Sequence, residues 1–175
     1  MTKSFLMFLL VSAASGVSSL ALLAQQPEEG TFPILTADDL NGKSVTLPAE
    51  LPGDPTLVLL AFTSEQQADV DQWLAELRLK EGNEIPWVEL PVMGAKNFLL
   101  KAVIENGMRS GIPKKEDRAR TISLYTDREA FLGSLGIVET DRIYAAVIER
   151  SGIIRVMVEG TPTEETKQIV LGAMQ

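Results

Sequence analysis

The chain has no cysteine and no histidine among its 175 residues. Without thiols, disulfides, thiolate metal sites and thiol redox catalysis are all unavailable. Without imidazole, the commonest general base and the commonest zinc ligand are missing as well. Serine-histidine hydrolases, papain-like enzymes and thiol peroxidases are therefore excluded. No spaced D-x-D-x-D-G loop appears either, so no calcium-type site is expected, and nothing in the sequence calls for a cofactor. Internal repeats and low-complexity tracts are also absent.

The residues present describe a globular protein. With 45% hydrophobic and 23% charged residues, the chain has enough apolar surface to offset the entropy of ordering it. Setting aside an N-terminal leader leaves roughly 150 residues, the size of one domain with one core. The charge is unevenly spread. Lys96 to Arg120 holds seven basic residues against three acidic ones, a net +4 in a chain of net -8, so the remainder carries -12. A phosphate backbone would be repelled by most of that surface, and no nucleic-acid partner is expected. A local anionic partner for the basic segment stays open.

Met1 to Lys3 is a short cationic start, Phe5 to Ala24 is uncharged and rich in Leu, Ala and Ser, and Gln25 to Gly30 is a polar break. Residues 1–26 therefore read as a signal peptide, with small-residue cleavage sites after Ala21 or Ala24, or as an uncleaved membrane anchor. Both readings send residues 27–175 to the periplasm or exterior, with membrane contact through the leader if it is retained.

The rest of the chain alternates strand and helix signals. Asn41-Gly42 predicts a tight turn before Val45 to Leu47, and the apolar run Leu57 to Phe62 predicts a strand buried on both faces. Thr63-Ser64 is placed to cap a helix whose stripe Ala68, Val70, Trp73, Leu74 and Leu77 runs to about Lys80, ended by Gly82-Asn83. Trp87 to Val92 predicts a second core strand, followed by a helix capped by Asn97 and running towards Gly107. Arg109 to Arg120 reads as a basic connection with a turn or new helix start at Gly111-Ile112-Pro113. Thr121 to Tyr125 predicts a strand, and Asp127 the cap of a short helix. A hairpin from Ile143 to Val158 and a C-terminal helix opening at Thr163 complete the order.

The pattern Asp39-Leu40-Asn41-Gly42-Lys43-Ser44-Val45-Thr46-Leu47, then the strand Leu57 to Phe62, then Thr63-Ser64-Glu65-Gln66-Gln67, resembles the opening of peroxiredoxin and TlpA-like thioredoxin-fold proteins. The resemblance implies an α/β thioredoxin-like fold, a central mixed sheet flanked by helices. In that family a reactive cysteine follows the strand and a cis-proline precedes the hairpin. Here Glu65, Gln66 and Gln67 occupy the thiol neighbourhood, and Thr140-Asp141-Arg142 precede Ile143. Met108 to Pro113, Arg118 to Asp127 and the hairpin Arg150 to Gly160 look like bacterial relatives of the mitochondrial ATP-synthase assembly factor of the Atp-ten type, although Val156 stands where an aromatic is expected. That resemblance implies an assembly chaperone for a membrane subunit, with no enzymatic turnover.

The candidate binding residues are Arg109, Arg118, Arg120, Tyr125 and Asp127. Three guanidinium groups near a strand start have the chemistry to hold a carboxylate, a phosphate or an acidic segment of a partner. The plainer alternative is a solvated loop with one arginine paired to Asp127 or Glu116. Glu65 reads as a surface group complementing a helix dipole, Trp73 and Trp87 as core, and Met93, Met108 and Met157 as core or edge. No catalytic residue and no metal ligand is expected. The function expected is a redox-inactive, cell-envelope protein that binds or chaperones a protein partner, with anion or small-ligand binding as the alternative and a cysteine-independent enzyme as the least favoured.

Overall fold

The computed structural model describes residues 30–175, so the leader read over 1–26 lies outside the described residues. Among the described residues no helix is long and apolar enough to cross a membrane. The elements run β1 (Leu35–Asp39), β2 (Ser44–Leu47), β3 (Thr56–Ala61), α1 (Gln67–Glu76), β4 (Trp87–Gly94), α2 (Lys101–Gly111), α3 (Lys115–Arg120), β5 (Ile122–Thr126), α4 (Arg128–Ser134), β6 (Tyr144–Ile148), β7 (Ile154–Glu159) and α5 (Glu164–Ala173).

One seven-stranded sheet carries them in the order β2-β1-β5-β4-β3-β6-β7. β3, β4 and β5 are mutually parallel, while β1 joins β5, and β6 joins β3, in antiparallel fashion. The central strands are apolar throughout because both faces are covered. Alternate residues divide between two cores: Val58, Leu60, Val88 and Leu90 meet Phe131 of α4 on one face. Leu57, Leu59 and Trp87 meet Trp73 of α1 and Val170 of α5 on the other.

This topology decides where a site can form. The steps β3 to β4 and β4 to β5 move in the same direction across the sheet, and right-handed crossovers place both α1 and α2 on one face. β4 lies beneath the space between them.

Two boundaries differ from the sequence reading. The helix expected to reach Lys80 ends at Glu76, because Arg78 takes a left-handed conformation (φ 52°) and a 3₁₀ turn follows over Leu79–Glu81. The break lets both Leu77 and Leu79 be buried, and Trp87 Nε1 donates to the Leu79 carbonyl at 3.1 Å. The second helix begins with a 3₁₀ segment, Ala95–Leu100, and continues through Arg109 to Gly111. Arg109 is thus helical, and the basic connection resolves into the end of α2 and the short helix α3.

Candidate functional site

The junction of β3 and α1, where the resembled thiol enzymes carry their cysteine, is built around Gln66. Its side chain is 5% exposed. The amide oxygen accepts the Phe62 N–H at 2.7 Å, and the amide nitrogen donates to the Thr140 carbonyl at 2.9 Å. Thr140 belongs to the loop leading into β6, the position of the cis-proline in those enzymes. One neutral amide therefore ties together the two places where thiol chemistry would be assembled. Cis peptide bonds in the described residues precede Pro48 and Pro55, and none precedes β6. Below the junction the Phe62 and Tyr144 rings meet edge to face at 6.0 Å.

The flanking residues Glu65 and Gln67 lie on the surface and line an adjoining groove. Glu65 is exposed, and its carboxyl is held below the usual carboxylate range by its own backbone N–H and the Thr63 hydroxyl. Gln67 donates to Asp71 Oδ1 one turn along α1 at 3.3 Å. The hydroxyls of Thr63 and Ser64 both bond the Glu65 carboxylate, while the buried position itself is held by the neutral Gln66 amide.

Next to the corner lies a groove of about 850 Å³ between α1 and α2, floored by β4. Val70 and Asp71 of α1 form one wall, and Ile104, Gly107, Met108 and Gly111 of α2 the other. The α2 positions recur at i, i+3, i+4 and i+7, one face of a helix. The floor is Glu89, Pro91 and Met93, the β4 residues that alternate onto this side of the sheet. Glu89 is 6% exposed in an otherwise apolar strand. Burial pushes its carboxyl above the ordinary range, while Lys80 and the Gln67 amide pull the other way and Asp71 and Asp117 add to the rise. It forms no ion pair among the described residues.

α2 is attached to the body by charge rather than by apolar packing. Lys101, Glu105 and Arg109, at i, i+4 and i+8, form its inward stripe. Lys101 Nζ is 2.5 Å from Asp38 Oδ2, and Arg109 donates to Glu105 Oε2 at 3.0 Å and to the Leu40 carbonyl at 2.6 Å. Glu105 is the helix's buried residue.

The residues singled out in the basic segment therefore do separate things. Arg109 anchors α2 to Leu40, the residue just past β1. Arg120 donates to the Trp87 carbonyl at 3.2 Å and lies 5.0 Å from the centre of the Trp87 ring. Arg118 is half-buried in α3, with its Nε lacking a hydrogen-bond partner among the described residues, and its carbonyl accepts the Leu40 N–H at 3.1 Å. Tyr125 lies under the Lys101 ammonium at 5.5 Å, and its hydroxyl is pushed up to about 12 by burial and by Glu105. Asp127 caps α4, accepting the Ala130 N–H at 3.2 Å. The acid that pairs with an arginine of this segment is Glu105, where the sequence suggested Asp127 or Glu116. No group of three or more carboxylates among the described residues is placed to hold a metal ion.

Sequence reasoning missed Glu89. Its signal was present: one carboxylate at the centre of the apolar run Trp87-Val88-Glu89-Leu90. Trp73 and Trp87 are core, with Trp73 Nε1 donating to the Gly160 carbonyl at 2.9 Å. Met93 and Met108, read as core or edge, line the groove.

No protein-family model matches the chain. No curated protein matches its sequence. Solved structures do resemble it in fold. The exposed lipoprotein thioredoxin Etrx1 of Streptococcus pneumoniae is similar at 15% identity, over 80% of this chain and 99% of that one, with a TM-score of 0.55. BsSco, of the Sco family of cytochrome c oxidase assembly proteins, is similar at 16% identity over 86% and 97%, with a TM-score of 0.58. A thioredoxin-family thiol:disulfide interchange protein of Chlorobium tepidum is similar at 17% identity over 86% and 99%, with a TM-score of 0.53. The chain thus has a thioredoxin-like fold, a central mixed sheet flanked by helices, in a sequence without cysteine.

Proposed function

We propose that the chain is a non-catalytic, exported thioredoxin-like protein that binds or chaperones a protein partner, such as a subunit of a membrane complex. The observation that carries this reading is Gln66: a buried amide bonded to both Phe62 and Thr140 fills the position where chemistry would need a thiol. The neighbouring groove, by contrast, is open. Support for an envelope location comes from the leader-like sequence of residues 1–26, whose cationic start and uncharged stretch direct a chain to the membrane. An assembly role draws on the sequence resemblance to the Atp-ten type factors and on a structural neighbour that is itself a member of a family of assembly proteins.

The test is capture of partners by the full-length tagged chain from gently solubilised membranes, alongside disulfide-reductase and peroxidase assays of the purified chain. A reproducible protein partner with no turnover is expected. Turnover in either assay, or recovery of no partner, would contradict the reading.

A further inference from the structure

In a β-α-β-α-β unit the two helices on one face normally close over the middle strand. Here that place is a groove. α2 is turned so that its charged stripe meets the body, while Ile104 and Met108 face the opening with Gly107 and Gly111 on the same side. A Cβ at Gly107 or at Gly111 would meet nothing within 4 Å, so a backbone can approach α2 closely along this face. Apolar surface also continues past the groove, since Leu99 is 93% and Val103 is 71% exposed. That extent exceeds a small ligand and suits a helix laid into the groove by its apolar face.

The charges narrow the partner further. Glu65, Asp71 and Glu89 line the groove against the single cation Lys80. The basic residues Lys101 and Arg109 are turned away, onto Asp38, Glu105 and the Leu40 carbonyl. Glu89, bonded to the Gln67 amide, forms no ion pair among the described residues, and a cation brought from outside would pair with it.

Resting on the partner-binding reading, we propose that this groove receives an amphipathic helix of a partner protein, its apolar face against Met93, Ile104 and Met108 and a lysine or arginine within that face paired with Glu89. Gly107 and Gly111 set how closely the incoming helix approaches. Glu89 selects for the cation.

The experiment is a fluorescence-anisotropy titration of the purified full-length chain with labelled 18-residue helical peptides. Each has leucines at i, i+3, i+4 and i+7, and the middle of the apolar face carries lysine, norleucine or glutamate. Saturable binding of the lysine peptide at least tenfold tighter than the glutamate peptide is expected. Glu89→Gln should abolish the preference for lysine over norleucine. Gly107→Leu should weaken binding at least tenfold, and Gly107→Ala, which adds only a methyl to open space, should weaken it less without lowering the melting temperature. Equal affinity for the three peptides, or binding indifferent to both Gly107 variants, would overturn the proposal. So would a dimer seen by sedimentation that Gly107→Leu dissolves, which would give the groove to a second copy. If the peptides fail while a partner is still captured from membranes by the Gly107→Leu chain, the groove assignment falls and the partner-binding reading stands; if no partner is captured at all, that reading itself falls.

Discussion

The Gln66 side-chain amide donates to the Thr140 carbonyl at 2.9 Å, across 74 residues of sequence. The same amide's oxygen holds the Phe62 N–H at 2.7 Å, so a single side chain fixes the end of β3, the start of α1 and the loop entering β6. Removing it in Gln66→Ala leaves a buried donor and a carbonyl unmatched. A loss of about 1–3 kcal/mol is expected, measured by urea denaturation. Gln66→Glu keeps an acceptor for Phe62 but turns a carboxylate on the Thr140 carbonyl. Its folded-state pKa should be raised, so its stability should fall as pH rises through that pKa and recover in acid.

Glu89 gives a second pH dependence, this time in the wild-type chain. Its folded pKa is raised by burial, with Asp71 and Asp117 adding to the rise and Lys80 and Gln67 opposing it. The folded protein therefore binds more protons than the unfolded one between the ordinary carboxyl value and the raised one. Stability falls as pH increases across that window, by up to about 1.4 kcal/mol per pH unit for one proton. Glu89→Gln should flatten this slope, raising the melting temperature at neutral pH and leaving it nearly unchanged below pH ~4.

Two glycines should respond in opposite ways to the same substitution. At Gly53 a Cβ would meet Pro86 Cγ at 2.2 Å and the Pro55 carbonyl at 2.9 Å, so Gly53→Ala must displace packed atoms. A loss of about 1–3 kcal/mol is expected. Gly107 is in the interior of α2 with nothing near its Cβ position, and Gly107→Ala should gain about 0.5–1 kcal/mol from helix propensity. Chemical denaturation of both variants checks the pair.

Asp127 has a structural role that can be measured directly. It caps a helix of only seven residues, Arg128–Ser134, which carries Phe131 into the core. Asp127→Ala should cost about 1 kcal/mol, and Asp127→Asn should restore most of it, because asparagine caps as well.

Arg109 is bonded to the Leu40 carbonyl and Glu105, and Arg120 to the Trp87 carbonyl, so both guanidinium groups are engaged by the protein itself. Thermal-shift measurements with phosphate and citrate should therefore be flat. A shift abolished by Arg118→Ala with Arg120→Ala would restore the anion-binding alternative.

Most of the fold was legible from local patterns. The apolar run Leu57 to Phe62 gave β3, the caps Asp127 and Thr163 gave the starts of α4 and α5, and Asn41-Gly42 gave the β1–β2 turn with Gly42 at φ 82°. The break at Arg78 was not legible, because it answers to the tertiary need to bury both Leu77 and Leu79. The site was harder still. Arginines close in sequence suggested one cluster, yet helix geometry sends Arg109 to the Leu40 carbonyl and Arg120 to Trp87. The groove depends on which way α2 is rolled, and that is set by its long-range partners Asp38 and Leu40. Only the misfit of Glu89 within an apolar strand marked it in advance.

The most direct measurement is site-specific photo-cross-linking of the full-length chain in its own cells, with benzoylphenylalanine placed at Met108 in the groove or at the exposed Asp141, which lies outside the groove in the loop entering β6. A discrete protein adduct from Met108, lost when Gly107→Leu is added and absent or much weaker from Asp141, is the expected result. An adduct from Asp141 alone, or a Met108 adduct unchanged by Gly107→Leu, would place the working surface outside the groove and contradict it.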